Sequence, residues 1–257
     1  MKPIDAYNDT ANRARLFLEY HDGLMNIRSR AIRSDWKATF LKLMHWPTTA
    51  SIQRVDSKDA VIILRSGATL TQDHFSQDWL DDQLRAALTF GVSALDRYVH
   101  ERVIKGIIPA LKNAPLTRQQ EEFSIPVSTA IEISELAVAA SKRGEKLRPA
   151  NIVRKKVQEL LHKRPFQSYR EIEYAFGLLG IKNLAQQLQN AYGTGDIKDI
   201  KKQIGHIAMR RNQIVHEGDL VVHERGGGIK WHKIDRKYVA DSLTFLDTFV
   251  RHLETVT

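Results

Sequence analysis

The stretch Arg211-Asn212-Gln213-Ile214-Val215-His216 holds three side chains that suit work on a phosphodiester. An arginine offers a permanently charged fork for phosphate oxygens. An asparagine amide can hold one oxygen, and a histidine can move a proton near neutral pH. Spacing alone carries little weight here. In a chain of this composition an arginine separated by four to six intervening residues from a following histidine arises by chance about 2.5 times. The sequence contains Arg15/His21, Arg210/His216, Arg211/His216 and Arg225/His232. Arg15 is followed by Leu16, and Arg225 by the run Gly226-Gly227-Gly228, so neither has a polar neighbour on a shared helical face. Arg211 is distinguished by its context.

That context is a helix predicted over residues 197–217. Gly193-Thr194-Gly195 breaks the chain, Asp196 can cap the helix start, and Gly218 can end it in the left-handed conformation. Ile197, Ile200, Ile204, Ala208 and Val215 form an apolar stripe, and at about 100° per residue Arg211 falls near its middle. A guanidinium there must be paired or reach water. Asn212 and His216 are four apart and share the neighbouring face. His216 also sits in the last turn, where the negative end of the helix dipole favours positive charge. The competing reading is plainer: Arg211 snorkels from a core helix and His216 only caps it.

The elements around this helix read as mainly helical. A helical, basic region spans about residues 8–44, with Leu16, Leu24, Ile27, Phe40 and Leu41 apolar, and Pro47 stops it. Ser51–Val55 and Ala60–Leu64 read as short strands of a hairpin. From Asp78 a long helix is predicted, with Leu80, Leu84, Leu88, Val92, Leu95, Val99 and Val103 as one stripe. Pro109 and Pro115 mark a connector after it. Further helices are expected near 127–142, 151–162, 169–179 and 183–192. Asp235 can cap a last one lined by Val239, Leu243, Leu246, Val250 and Leu253. Two segments that flank Gly226-Gly227-Gly228, Leu220–His223 and Ile229–His232, suggest a hairpin, in which His223, Trp231 and His232 are either a substrate flap or a plain exposed turn. The expected organisation is an N-terminal extension, residues 1–75, followed by a helical domain, residues 76–257.

Composition narrows the function. The formal net charge is +9, which favours polyanionic partners such as RNA. There is no cysteine, so disulfides, thiolate-bound metals and thiol nucleophiles are excluded. The ten histidines are scattered without metal-ligand spacing, and no metal or other cofactor is expected. No apolar run approaches the roughly 18 to 20 residues of a membrane helix. The N-terminus lacks the apolar stretch of a secretory signal. A cytoplasmic protein is the simplest expectation.

The segment from Arg211 to Asp219 resembles the R-N-x-x-x-H signature of the HEPN superfamily, all-helical domains found in many toxin and phage-defence nucleases. Val92-Ser93-Ala94-Leu95-Asp96-Arg97-Tyr98-Val99-His100-Glu101-Arg102-Val103 is similar to the first long helix of its RiboL-PSP-HEPN branch. Phe123-Ser124-Ile125-Pro126-Val127 and the closing helix fit the same order, so the resemblance spans roughly residues 76–255. It implies an all-α HEPN-type bundle and a homodimer in which two such helices face each other across one cleft. It further implies metal-independent endoribonuclease action, with attack by the ribose 2′-hydroxyl leaving a cyclic phosphate. Arg211 would then hold the scissile phosphate, His216 act as acid or base, and Asn212 orient either. An acid on an earlier helix would face the arginine, with Asp96 the first candidate and Glu101 the second. Arg210, Lys201 and Lys202 are candidate RNA contacts. Lys155-Lys156 and the N-terminal Arg28, Arg30, Arg33 and Lys37 are basic faces that are otherwise merely solvated. A toxin or anti-phage effector, with a possible antitoxin or sensor partner, is the implied role. The alternative is a non-catalytic HEPN-type module that binds RNA, a nucleotide or a protein.

Overall fold

A computed structural model describes residues 2–25, 28–57, 60–67, 69–112, 115–144, 149–193, 196–221 and 230–256. Among them the chain forms ten α-helices and one small antiparallel sheet, the mainly-α fold that the periodicity predicts. In chain order these are α1 (Pro3–Leu24), β1 (Arg28–Arg30), α2 (Ser34–Leu43), β2 (Ile52–Asp56), β3 (Val61–Arg65) and α3 (Gln77–Ala110). There follow the single turn α4 (Arg118–Glu121), α5 (Val127–Lys142), α6 (Pro149–Leu161), α7 (Tyr169–Leu178), α8 (Leu184–Tyr192), α9 (Ile197–His216) and α10 (Arg236–Thr255).

The first expected helical region is instead two helices separated by a strand. Gly23 weakens the end of α1, and β1 pairs antiparallel with β2, Arg28 opposite Asp56. Backbone pairing with β2 offers residues 28–30 an alternative to the helix, so the expected hairpin gains a third strand in the order β1-β2-β3. Leu41 of α2, Val55 and Leu64 are buried, yet they stand apart from the main core cluster. α1 belongs to that cluster through Tyr7 and Ala11. Tyr7 meets Tyr98 of α3 edge to face, with ring centroids 6.5 Å apart.

α3 organises the rest. It is 34 residues long, about 50 Å at 1.5 Å per residue. It is buried on more than the one stripe that the leucine spacing suggests, because Ala87, Gly91, Ala94 and Tyr98 are buried as well. Helices α1, α6, α7, α9 and α10 all pack against it. A Cβ at Gly91 would collide with the Leu243 side chain of α10, which packs directly onto the glycine. The helix also continues through Pro109 to Ala110, beyond the expected connector. Proline sits there in the last turn, so the helix ends within two residues of it.

The site-bearing helix is α9. Asp196 caps it by accepting from the Lys198 amide at 2.9 Å. Gly218, just past its end, has φ +62° and Asp219 φ +58°, so the left-handed exit predicted at Gly218 is two residues long. Ile200, Ile204, Ile207 and Ala208 are buried and fix its rotation against the core. Burying such isoleucines is worth roughly 1.5–3 kcal/mol each. The seam then continues to the partly buried Ile214, not to Val215, which is 45% exposed. Stepping by three and four from Ile200 through Ile207 leads to Ile214 on the same side, whereas Val215 turns about 100° further.

Candidate functional site

Arg211 lies on the inward side of α9, as the buried line Ile200, Ile204, Ile207 and Ala208 dictates, and is half-buried. Its Nε is buried and has no hydrogen-bond partner. Its Nη1 donates to Oδ1 of Asn212 at 3.1 Å. Among the described residues the fork therefore has a neutral amide for company but no carboxylate within ion-pair distance.

Asp96 of α3, the first acid candidate, makes no ion pair or hydrogen bond with Arg211 among the described residues. It is fixed from another side, because the Phe166 amide donates to its Oδ1. One turn further along α3, Nε2 of His100 stands 3.7 Å from Asp96 Oδ2. The His100 ring meets Phe166 edge-on at 4.7 Å. Burial pushes the Asp96 carboxyl up from its ordinary value, against the opposing pull of the Phe166 amide, His100 and Arg211. The same burial pushes the His100 imidazole down, although Asp96 opposes it. Asp96 and His100 thus form one polar pair on α3, and Arg211 and Asn212 another on α9.

The other expected residues go elsewhere. His216 is exposed in the last turn of α9 and has no hydrogen bond or ion pair among the described residues. From Arg211 it is about 140° around the helix and about 7.5 Å along it. One chain does not aim both side chains at a single phosphate. Glu101 meets Lys105 at 3.6 Å. Lys201 lies over the ring of Tyr169, with Nζ 4.4 Å from its centroid, and Lys202 is exposed.

Arg210 has the most altered role. Its side chain is 13% exposed and grips Asp219 with both terminal nitrogens, Nη2 donating to Oδ2 at 2.9 Å. Arg85 of α3 holds the same carboxylate through Nε and donates from Nη2 to the His232 carbonyl at 2.9 Å. Asp219 is 1% exposed. Burial alone would raise its pKa, but the bonds from Arg210 and Arg85 hold it below the ordinary carboxylate value. This Arg85–Asp219–Arg210 clamp pins the end of α9 to α3 and to the strand-like segment at residues 230–233. Leu220 and Trp231 form an isolated antiparallel bridge there, and the His232 amide donates to the Asp219 carbonyl at 2.8 Å. The inferred hairpin thus has a stem, while residues 222–229, with His223 and the three glycines, lie outside the described residues.

Sequence reasoning missed the clamp. The pair Gly218-Asp219 signals the turn, since aspartate tolerates left-handed backbone better than most residues. Nothing local links it to Arg85, 134 residues away. His100 was also missed, although its i+4 spacing from Asp96 on a predicted helix was a usable signal.

Among the described residues no group of three or more His, Cys, Asp or Glu side chains could hold a metal ion. No helix formed by them is long and apolar enough to cross a membrane. Comparison with protein-family models, curated proteins and solved structures gives no match for the chain.

Proposed function

We propose that this chain is a metal-independent endoribonuclease whose phosphate-binding residue is Arg211, acting as a homodimer and serving as a toxin or anti-phage effector. The observation that carries the reading is the state of the Arg211 fork among the described residues: half-buried, unpaired at Nε, and bonded only to the neutral Asn212. A guanidinium so placed has hydrogen-bonding capacity left for an anion, and a partly desolvated site strengthens that attraction. The formal charge of +9 favours RNA as the anion.

A second chain supplies what one chain lacks. His216 of one protomer would approach Arg211 of the other and pass the proton between the 2′-hydroxyl and the leaving 5′-oxygen. Met209, 56% exposed, and Val215 give the same end of α9 apolar surface for such a contact. The resemblance to HEPN nucleases points to this arrangement. Purified protein is expected to cut total RNA in the presence of EDTA, leaving cyclic phosphate ends, with cleavage abolished by His216→Ala. Equal cleavage by both proteins would remove His216 from the mechanism. The exposure of His216 away from Arg211 within one chain favours one alternative, a non-catalytic RNA-binding module. Tight RNA binding without turnover by the wild type would select it.

A further inference from the structure

The small unit made by α2 and the sheet carries cations and open aromatic rings that no contact inside the chain explains. Residues 26–70 hold eight Lys or Arg against three Asp or Glu, more than half of the chain's formal net charge of +9. Of those acids, Asp56 is buried and already held, by Arg54 at 2.6 Å and by Arg30 at 3.4 Å. Arg33, Lys37 and Lys42 on or beside α2, and Arg65 at the end of β3, meet no carboxylate among the described residues.

Aromatic rings link α2 to the end of β3. Trp36 stacks on Phe40, one turn along α2, with centroids 5.0 Å and planes 14° apart. Phe40 meets Trp46 edge-on at 5.7 Å, and the Arg65 guanidinium carbon lies 5.4 Å from the centre of the Trp46 ring. Leu41 is the buried residue of α2, and Trp36 is turned about 140° away from it. The Trp36 ring is therefore 43% exposed. Arg33, Lys37 and Phe40 fall within about 60° of one another around the same helix. Beside Trp46, the residues Ile63, Arg65, Thr69 and Leu70 line a cavity of about 410 Å³.

We propose that this face binds single-stranded nucleic acid. Bases stack on Trp36 and enter the cavity beside Trp46, while phosphates meet Arg33, Lys37 and Arg65. Open aromatic faces set among unpaired cations are what an unstacked strand needs, because every base has a flat face and every linkage a negative charge. An arginine lying over an indole keeps its N–H edge for a phosphate. In a duplex the bases are already stacked on one another, so the surface selects single strands. The proposal goes beyond the function assigned to Arg211 and does not require it.

Fluorescence anisotropy in the full chain tests it, with a labelled 2′-O-methyl oligonucleotide of about 12 nucleotides that cannot be cut. Trp36→Ala is expected to weaken binding about tenfold or more. Trp36→Phe keeps a ring and should stay within about threefold of wild type, whereas Trp36→Leu keeps only apolar bulk and should bind as weakly as the alanine variant. An abasic strand of equal length and charge should bind the wild type about tenfold less tightly and lose nothing more with Trp36→Ala. Arg33→Gln combined with Lys37→Gln should flatten the slope of log affinity against log salt by about 0.7 for each phosphate contact removed. Wild-type affinity in both Trp36→Ala and Trp36→Leu overturns the proposal. So does binding to phosphatidylserine vesicles in place of the oligonucleotide, which would make the face a membrane surface. A chain that binds as expected but cuts no RNA retires the nuclease alone; one that cuts RNA while the Trp36 variants bind like wild type retires this proposal alone.

Discussion

Arg210 and Arg211 leave the same turn of α9 and meet different company. Arg210 closes a clamp on Asp219 that Arg85 completes, with all three side chains largely withdrawn from water. Arg211 has a neutral amide at hydrogen-bond distance and an acid, Asp96, further off that other groups already hold. The difference separates two uses of one residue type. A buried guanidinium with its partners satisfied holds structure, and removing a partner leaves an uncompensated charge. A guanidinium left short of partners has capacity for a ligand.

The largest effect should come from breaking the clamp. Asp219→Ala leaves Arg85 and Arg210 facing each other without a counter-charge, and is expected to cost about 3–5 kcal/mol in urea or thermal unfolding. A loss below about 1 kcal/mol would mean that the two arginines find water, and the contrast with Arg211 would collapse. Arg211→Ala should do the opposite: unfolding within about 1 kcal/mol of wild type, with RNA cleavage down by about 10²–10³-fold. If instead Arg211→Ala unfolds the protein and spares the activity, the roles have been assigned the wrong way round.

These two neighbours also mark how far the sequence could be read. Helix α9, its Asp196 cap, its exit at Gly218 and the inward position of Arg211 follow from local periodicity and turn chemistry, which need only adjacent residues. Asp96 was picked out through the family resemblance, and among the described residues it pairs with His100 and the Phe166 amide, with no ion pair to Arg211. The role of Arg210 was not legible, because it depends on a carboxylate beyond the helix end and on a second arginine from α3. The strand at residues 28–30 escaped for the same reason, since its stability comes from pairing with β2 and not from its own residues.

Smaller effects sharpen the comparison. Asn212→Ala removes the amide bonded to the Arg211 fork, and roughly tenfold slower cleavage with unchanged stability is expected in single-turnover assays. An unchanged rate would show that Arg211 needs no such support. Smallest is the response to acid. Because the folded pKa of Asp219 is depressed, its contribution is fully present above the ordinary carboxylate value and is lost as the pH falls through the depressed one. Wild-type stability should therefore fall more steeply below about pH 4 than that of Asp219→Asn, as followed by circular dichroism. Parallel curves would mean that other carboxylates dominate acid unfolding.

The clamp also bears on time. Arg85 and Asp219 are 134 residues apart, so their contact must wait until the core has brought α3 and α9 together, and the left-handed turn at Asp219 has to form as well. An interaction completed that late is expected to be absent from the folding transition state. Weakening it should leave the refolding rate nearly unchanged and speed unfolding almost by the whole free-energy loss, which stopped-flow measurements on Arg85→Ala would reveal. On this view the clamp acts chiefly as a latch, governing how long the end of α9 stays in place once the molecule has folded.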